Sequence, residues 1–179
     1  NGRIEIASLQ DVRGSVVTSN GRVTIRDLKG TRLAARTSNG AIECDNINLQ
    51  ELILTTSNGR IGVNGFAQRL EGRTSNGAIE VTPRLGSALQ EQSLDLHTAN
   101  AGIRVNLPPA LAGACWLDLS TGFGSSNVNL DDMLYHIKEE YFGSKRIQGE
   151  TKGYATADAR IRVVARSANG GITIEKVRS

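Results

Sequence analysis

The chain has 179 residues, 39% of them apolar and 22% charged, with 20 glycines, 3 prolines and 4% aromatics; this suits one globular domain with many turns and few bulky side chains. Its formal charge of +3 comes from 21 basic against 18 acidic side chains spread along the chain, without the clustered basic patch and stacking aromatics of a nucleic-acid binder. No stretch approaches the 18 or so apolar residues of a membrane span, and the start carries no secretory signal pattern.

From the first residues a motif recurs. Thr-Ser-Asn-Gly stands at 18–21, 37–40, 56–59 and 74–77, with Ser-Ala-Asn-Gly at 167–170. Asn1, Asn20, Asn39, Asn58 and Asn76 are 19, 19, 19 and 18 residues apart. Because the chain opens at such a turn, it is expected to be cut from a longer protein, which would hold any anchor or signal.

After each Asn-Gly, two aliphatics flank a variable residue: Ile4 and Ile6, Val23 and Ile25, Ile42 and Cys44, Ile61 and Val63, Ile79 and Val81. Strict alternation marks a strand with one buried face. A second strand leads into each turn, with inward residues Leu33, Ala35 and Thr37; Leu52, Leu54 and Thr56; Leu70, Gly72 and Thr74; Leu94, Leu96 and Thr98; and Leu117, Leu119 and Thr121. Leu9, Leu28, Ile47, Phe66 and Leu85 are expected to plug the interior on the return.

Asn-Gly between alternating runs is also the strongest short hairpin signal, so a meander or sandwich is the alternative. A chain of hairpins would not repeat the same residue types at one phase, whereas a solenoid stacks like on like. The expected fold is therefore all-β: a single parallel β-solenoid over 1–179, of roughly seven to eight coils with a period of about 19 residues. Its corners are expected at Asn20-Gly21, Asn39-Gly40, Asn58-Gly59, Asn76-Gly77 and Asn169-Gly170. Stacked asparagines can hydrogen-bond along the axis, and glycine is expected there to supply positive φ.

The spacing stretches between Asn76 and Asn100, where Gln90-Glu91-Gln92 is inserted, and the next coil holds Pro108-Pro109. These insertions fall opposite the corner, on the side where repeat proteins vary and often bind. Residues 131–153 lose the motif and carry Tyr135 and Tyr141. Met133 to Lys138 reads as a short helix or as a strand, with another strand towards 145–150. The segment is either an irregular cap over the end of the stack or a binding loop.

The Asn-Gly-x-Ile corners, the Pro-Pro coil, Arg146-Ile147-Gln148-Gly149, Ile161-Arg162-Val163 and Ser167-Ala168-Asn169-Gly170-Gly171-Ile172 resemble the bacterial "putative adhesin" family of uncharacterised β-solenoid domains. The resemblance covers nearly the whole chain and departs from the family pattern at 131–143. It implies a cell-envelope or surface setting and carries no catalytic residues with it.

Cys44 and Cys115 lie more than three coils apart, beyond the roughly 7 Å reach of a disulfide, and read as buried thiols. His97 and His136 offer no metal spacing; His136 beside Glu139 and Glu140 is the best candidate for a metal or acid–base group, against a solvated cluster. No nucleophile, phosphate-binding or dinucleotide motif occurs, so no cofactor is implied. Polysaccharide-cleaving β-helices are the enzyme alternative and need converging carboxylates. The outward row of Glu5, Glu43 and Glu80 beside Arg3, Arg22 and Arg60 reads instead as a soluble charged face. The chain is thus expected to be a non-catalytic envelope module that binds a glycan or envelope protein through Tyr135, Tyr141, Arg22 and Arg60. A scaffold that associates end to end through open sheet edges is the rival.

Overall fold

The computed structural model describes residues 2–86 and 91–177; Asn1 and part of the insertion at Gln90 lie outside them. Four long strands come first, β1 (Ile4–Val17), β2 (Val23–Arg36), β3 (Ile42–Thr55) and β4 (Ile61–Arg73), each running through nearly a whole coil. They pair parallel in nineteen-residue register, as in Ile4 with Val23 and Val23 with Ile42.

Each long strand must bend to close its coil. Ser8 (φ 56°), Asp27 (φ 52°) and Asn46 (φ 51°) stand at these bends in the left-handed region, where Asn and Asp are tolerated best. Asn46 also donates its side-chain amide to Asp27 at 2.6 Å. In the fourth coil, one residue shorter, Gly65 takes the bend at φ 145°.

Beyond β4 the coil divides. β5 (Ile79–Pro83) continues the wall after the corner, and β6 (Glu91–Thr98) the wall before it. Then follow β7 (Ile103–Leu107), a one-turn helix α1 (Pro109–Ala112), β8 (Cys115–Thr121), β9 (Ser126–Asn129), β10 (Met133–Tyr141), β11 (Ser144–Thr151), β12 (Arg160–Ser167) and β13 (Ile172–Lys176).

Spatial order departs from chain order at this end. One wall runs β4, β6, β12, β8, β11, β10 and the other β4, β5, β7, β13, β9. The last coil, β12 and β13, is therefore intercalated between the coil of β6 and β7 and the coil of β8 and β9. Both flanks pair in parallel: Val163 faces Leu94 on one side and Leu117 on the other.

Inside, the alternation holds. Leu33, Leu52, Leu54, Leu70, Leu94, Leu96, Leu117 and Leu119 are buried, as are Val23, Ile42, Ile61, Ile79, Ile103 and Ile172 on the facing wall. Each such side chain contributes roughly 1.5–3 kcal/mol through burial. Of the expected plugs, Leu28 and Ile47 are buried but Leu9 and Leu85 are half exposed. Phe66 pairs outward with Asn48, because the short fourth coil sets Gly65 opposite Ile47.

Residues 131–153 contain no helix. β10 and β11 form an antiparallel hairpin, and β11 pairs antiparallel with β8, so parallel pairing does not extend through the whole sheet. A two-residue turn can join only antiparallel neighbours, and Phe142-Gly143 is such a turn.

Candidate functional site

At successive corners a buried threonine ties two coils, and Ser167 takes this place at Asn169-Gly170. Thr56 donates to the Gly40 carbonyl at 3.1 Å and accepts from the Gly59 amide at 3.1 Å; Thr37 and Thr74 repeat the pattern. Outside them the asparagines form the expected ladder, with Asn39 donating to Asn20 at 2.5 Å, Asn58 to Asn39 at 2.6 Å and Asn76 to Asn58 at 2.6 Å. The ladder continues from Asn100 to Asn76 and from Asn169 to Asn100, each 2.7 Å.

The corner glycines have a different reason from the one expected. Gly21, Gly40, Gly59 and Gly77 are absent from the positive-φ residues. A Cβ on Gly40 would strike the carbonyl of Gly21, and one on Gly59 that of Gly40. Glycine is there for backbone approach between stacked corners. These residues are architectural.

The four expected contact residues do not come together. Arg22 lies at the corner before β2 and Arg60 at the corner before β4, whereas Tyr135 and Tyr141 lie on β10, the last strand of the sheet. Arg60 is engaged by Glu80 at 2.6 Å and Glu43 at 4.0 Å. Tyr135 lies under Lys138 Nζ, 5.0 Å from its ring centre. The His136 group disperses too: His136 is 3.8 Å from Glu150, and Glu140 pairs with Lys145 at 3.1 Å. His97 instead meets Asp95 at 2.7 Å.

What gathers is an aromatic tip on the β10–β11 hairpin. Tyr141 and Phe142 are in edge-to-face contact, with ring centres 4.4 Å apart, and Phe123 lies against Gly143. All three rings are exposed, Phe142 to 85%. The turn has positive φ at both positions, 42° at Phe142 and 87° at Gly143. Turns of this kind prefer Asn-Gly, and a bulky residue with positive φ is an outlier. Phe142 and Phe123 escaped the sequence reading; Phe-Gly standing where a hairpin favours Asn-Gly was the available signal.

Cys44 and Cys115 are free and buried. Burial, and for Cys44 also the charge of Glu43, pushes both thiols up, Cys115 to about 12. Tyr154 is held above its ordinary value by burial and by Glu91, which accepts its hydroxyl hydrogen bond at 3.2 Å. Among the described residues no helix is long and apolar enough to cross a membrane.

No curated protein matches this sequence. Among solved structures the chain is similar to one from Clostridium sporogenes described as a "putative cell adhesion protein", at 16% identity and a TM-score of 0.36. The similarity covers 82% of this chain and 55% of that one, so the chain spans just over half of its length. The Toastrack DUF4097 family matches residues 1–175. The chain belongs to the Toastrack DUF4097 family.

Proposed function

We propose that this chain is a non-catalytic adhesion module of a bacterial envelope, which presents the aromatic tip of its terminal hairpin to a glycan or an envelope protein. The observation that carries this reading is Phe142, which combines an unfavourable backbone conformation with nearly complete exposure of an apolar ring. Both features cost stability, and such costs concentrate at binding sites. The hairpin is fixed to the stack through β8, with Ile147 opposite Leu119, so the rings are held on a rigid base.

Co-sedimentation with bacterial cell-wall material at low and high salt tests this. Saturable binding that survives salt and is lost in Phe142→Asn supports the reading. Binding unchanged in that variant, or none at all, overturns it.

One feature favours a second reading as an end-to-end scaffold. Among the described residues β1 pairs with β2 alone, and Leu9 and Val17 stand exposed on it; the strand of a second copy could pair along that side. A sedimentation coefficient that rises with concentration in the absence of ligand would favour the scaffold.

A further inference from the structure

A second surface lies along the flank of the stack, away from the hairpin tip. The pairing register aligns Arg13 with Arg32, Arg32 with Glu51, Glu51 with Arg69, Arg69 with Ser93, Ser93 with Arg162 and Arg162 with Trp116. At roughly 4.8 Å per rung this is a straight axial row some 30 Å long. Its first half lines a groove of about 650 Å³, with Thr31, Gln50 and Gln68 alongside. Its far end is a guanidinium laid over an indole, Arg162 being 4.3 Å from the Trp116 ring centre.

The charge arrangement is not the one a soluble face needs. On the other wall and near the corner, several arginines are matched to carboxylates, Arg3 and Arg26 to Glu5, Arg60 to Glu43 and Glu80, and Arg73 to Glu71 and Asp95, although Arg22, Arg36 and Arg166 form no ion pair among the described residues. In this row only Arg32 has a carboxylate, Glu51 at 3.2 Å. Arg13, Arg69 and Arg162 form no ion pair among the described residues, and Arg13 sits directly across from Arg32, a like-charge pairing that destabilises a sheet. A local rule broken without structural gain points to a ligand.

We propose that this row binds a linear acidic polysaccharide lying along the stack axis. Its carboxylates would meet the guanidinium forks of Arg13, Arg32 and Arg69, and its hydroxyls the amides of Gln50 and Gln68. Arginine grips a planar carboxylate with two parallel hydrogen bonds, and amide and hydroxyl side chains suit the polyol between charges. Single-stranded nucleic acid fits less well. Arg162 already covers Trp116, the one aromatic of the row, so no free ring is left on which a base could stack.

The test is affinity electrophoresis and calorimetry of the chain with polygalacturonate, with dextran as the neutral control. Arg13→Gln/Arg69→Gln is compared with Arg36→Gln/Arg166→Gln, which removes equal charge from the same flank outside the row. The expected result is binding to polygalacturonate but not dextran, weakened about tenfold or more in the first variant and under about threefold in the second. Gln68→Glu should weaken it too, and Phe142→Asn should not, which separates this site from the hairpin tip. Equal weakening in both double variants, no binding at low salt, or equal affinity for single-stranded DNA overturns the proposal.

Discussion

Asn169 donates its side-chain amide to Asn100 at 2.7 Å, across 69 residues of chain. That bond carries the ladder onto the intercalated coil, because Asn100 in turn reaches Asn76 at 2.7 Å. The corner row is thus continuous in space where the chain is not.

Replacing Asn39 and Asn58 together by Ala removes three consecutive ladder bonds. At roughly 0.5–1.5 kcal/mol each, less for exposed groups, the loss should be about 1–3 kcal/mol and lower Tm by several degrees. Thermal melts followed by circular dichroism check this, and an unchanged midpoint would remove the ladder from the stability of the fold.

Gly59→Ala should be far worse than its chemistry suggests. The new methyl meets the Gly40 carbonyl in the adjacent corner, and neither backbone can yield without parting the coils, so a loss above about 3 kcal/mol or failure to fold is expected. Gly14→Ala, where nothing lies within 4 Å, should be neutral or slightly stabilising. Similar melting points for the two variants would refute the close-approach account.

Ser8→Gly should stabilise the protein by up to about 1 kcal/mol, since Ser8 holds φ 56° and glycine enters that region without the side-chain penalty. Ser8→Val should destabilise it. Urea unfolding of both variants gives the sign directly.

Neither thiol should react with Ellman's reagent at pH 8 in the native protein, and both should react in denaturant. Burial raises Cys44 and brings Cys115 to about 12, while an unfolded cysteine titrates near 8.5. A raised folded value means stability present below the unfolded one and lost as pH climbs above about 8.5 towards 12. Rapid native labelling would contradict the buried placement.

Repetition made much of this molecule readable before any coordinates. The inward rows and the asparagine ladder follow from identical residues at one phase, so Leu52 and Asn58 could be placed from spacing alone. Features whose residue identity varies from coil to coil were hidden. Ser8, Asp27 and Asn46 share a conformation without sharing a residue type, and Arg13, Arg32 and Arg69 become neighbours only when the coils stack. The corner glycines were located correctly but for the wrong cause, since φ and backbone proximity leave the same mark in a sequence. Stacking order was unreadable, because Asn169-Gly170 fits any corner equally well.

That order has a consequence in time. β2 to β4 can each settle on the coil before it as the chain leaves the ribosome, but β8 and β9 are made before the layer on which they rest. Until residues 160–176 arrive, that far portion has no native floor, and it must close as one cooperative event built on contacts distant in sequence, the slow kind. Truncation after β11 would therefore remove a middle layer of the stack, not its end, and the exposed faces of β6 and β8 would become the first surfaces at which nascent copies go astray.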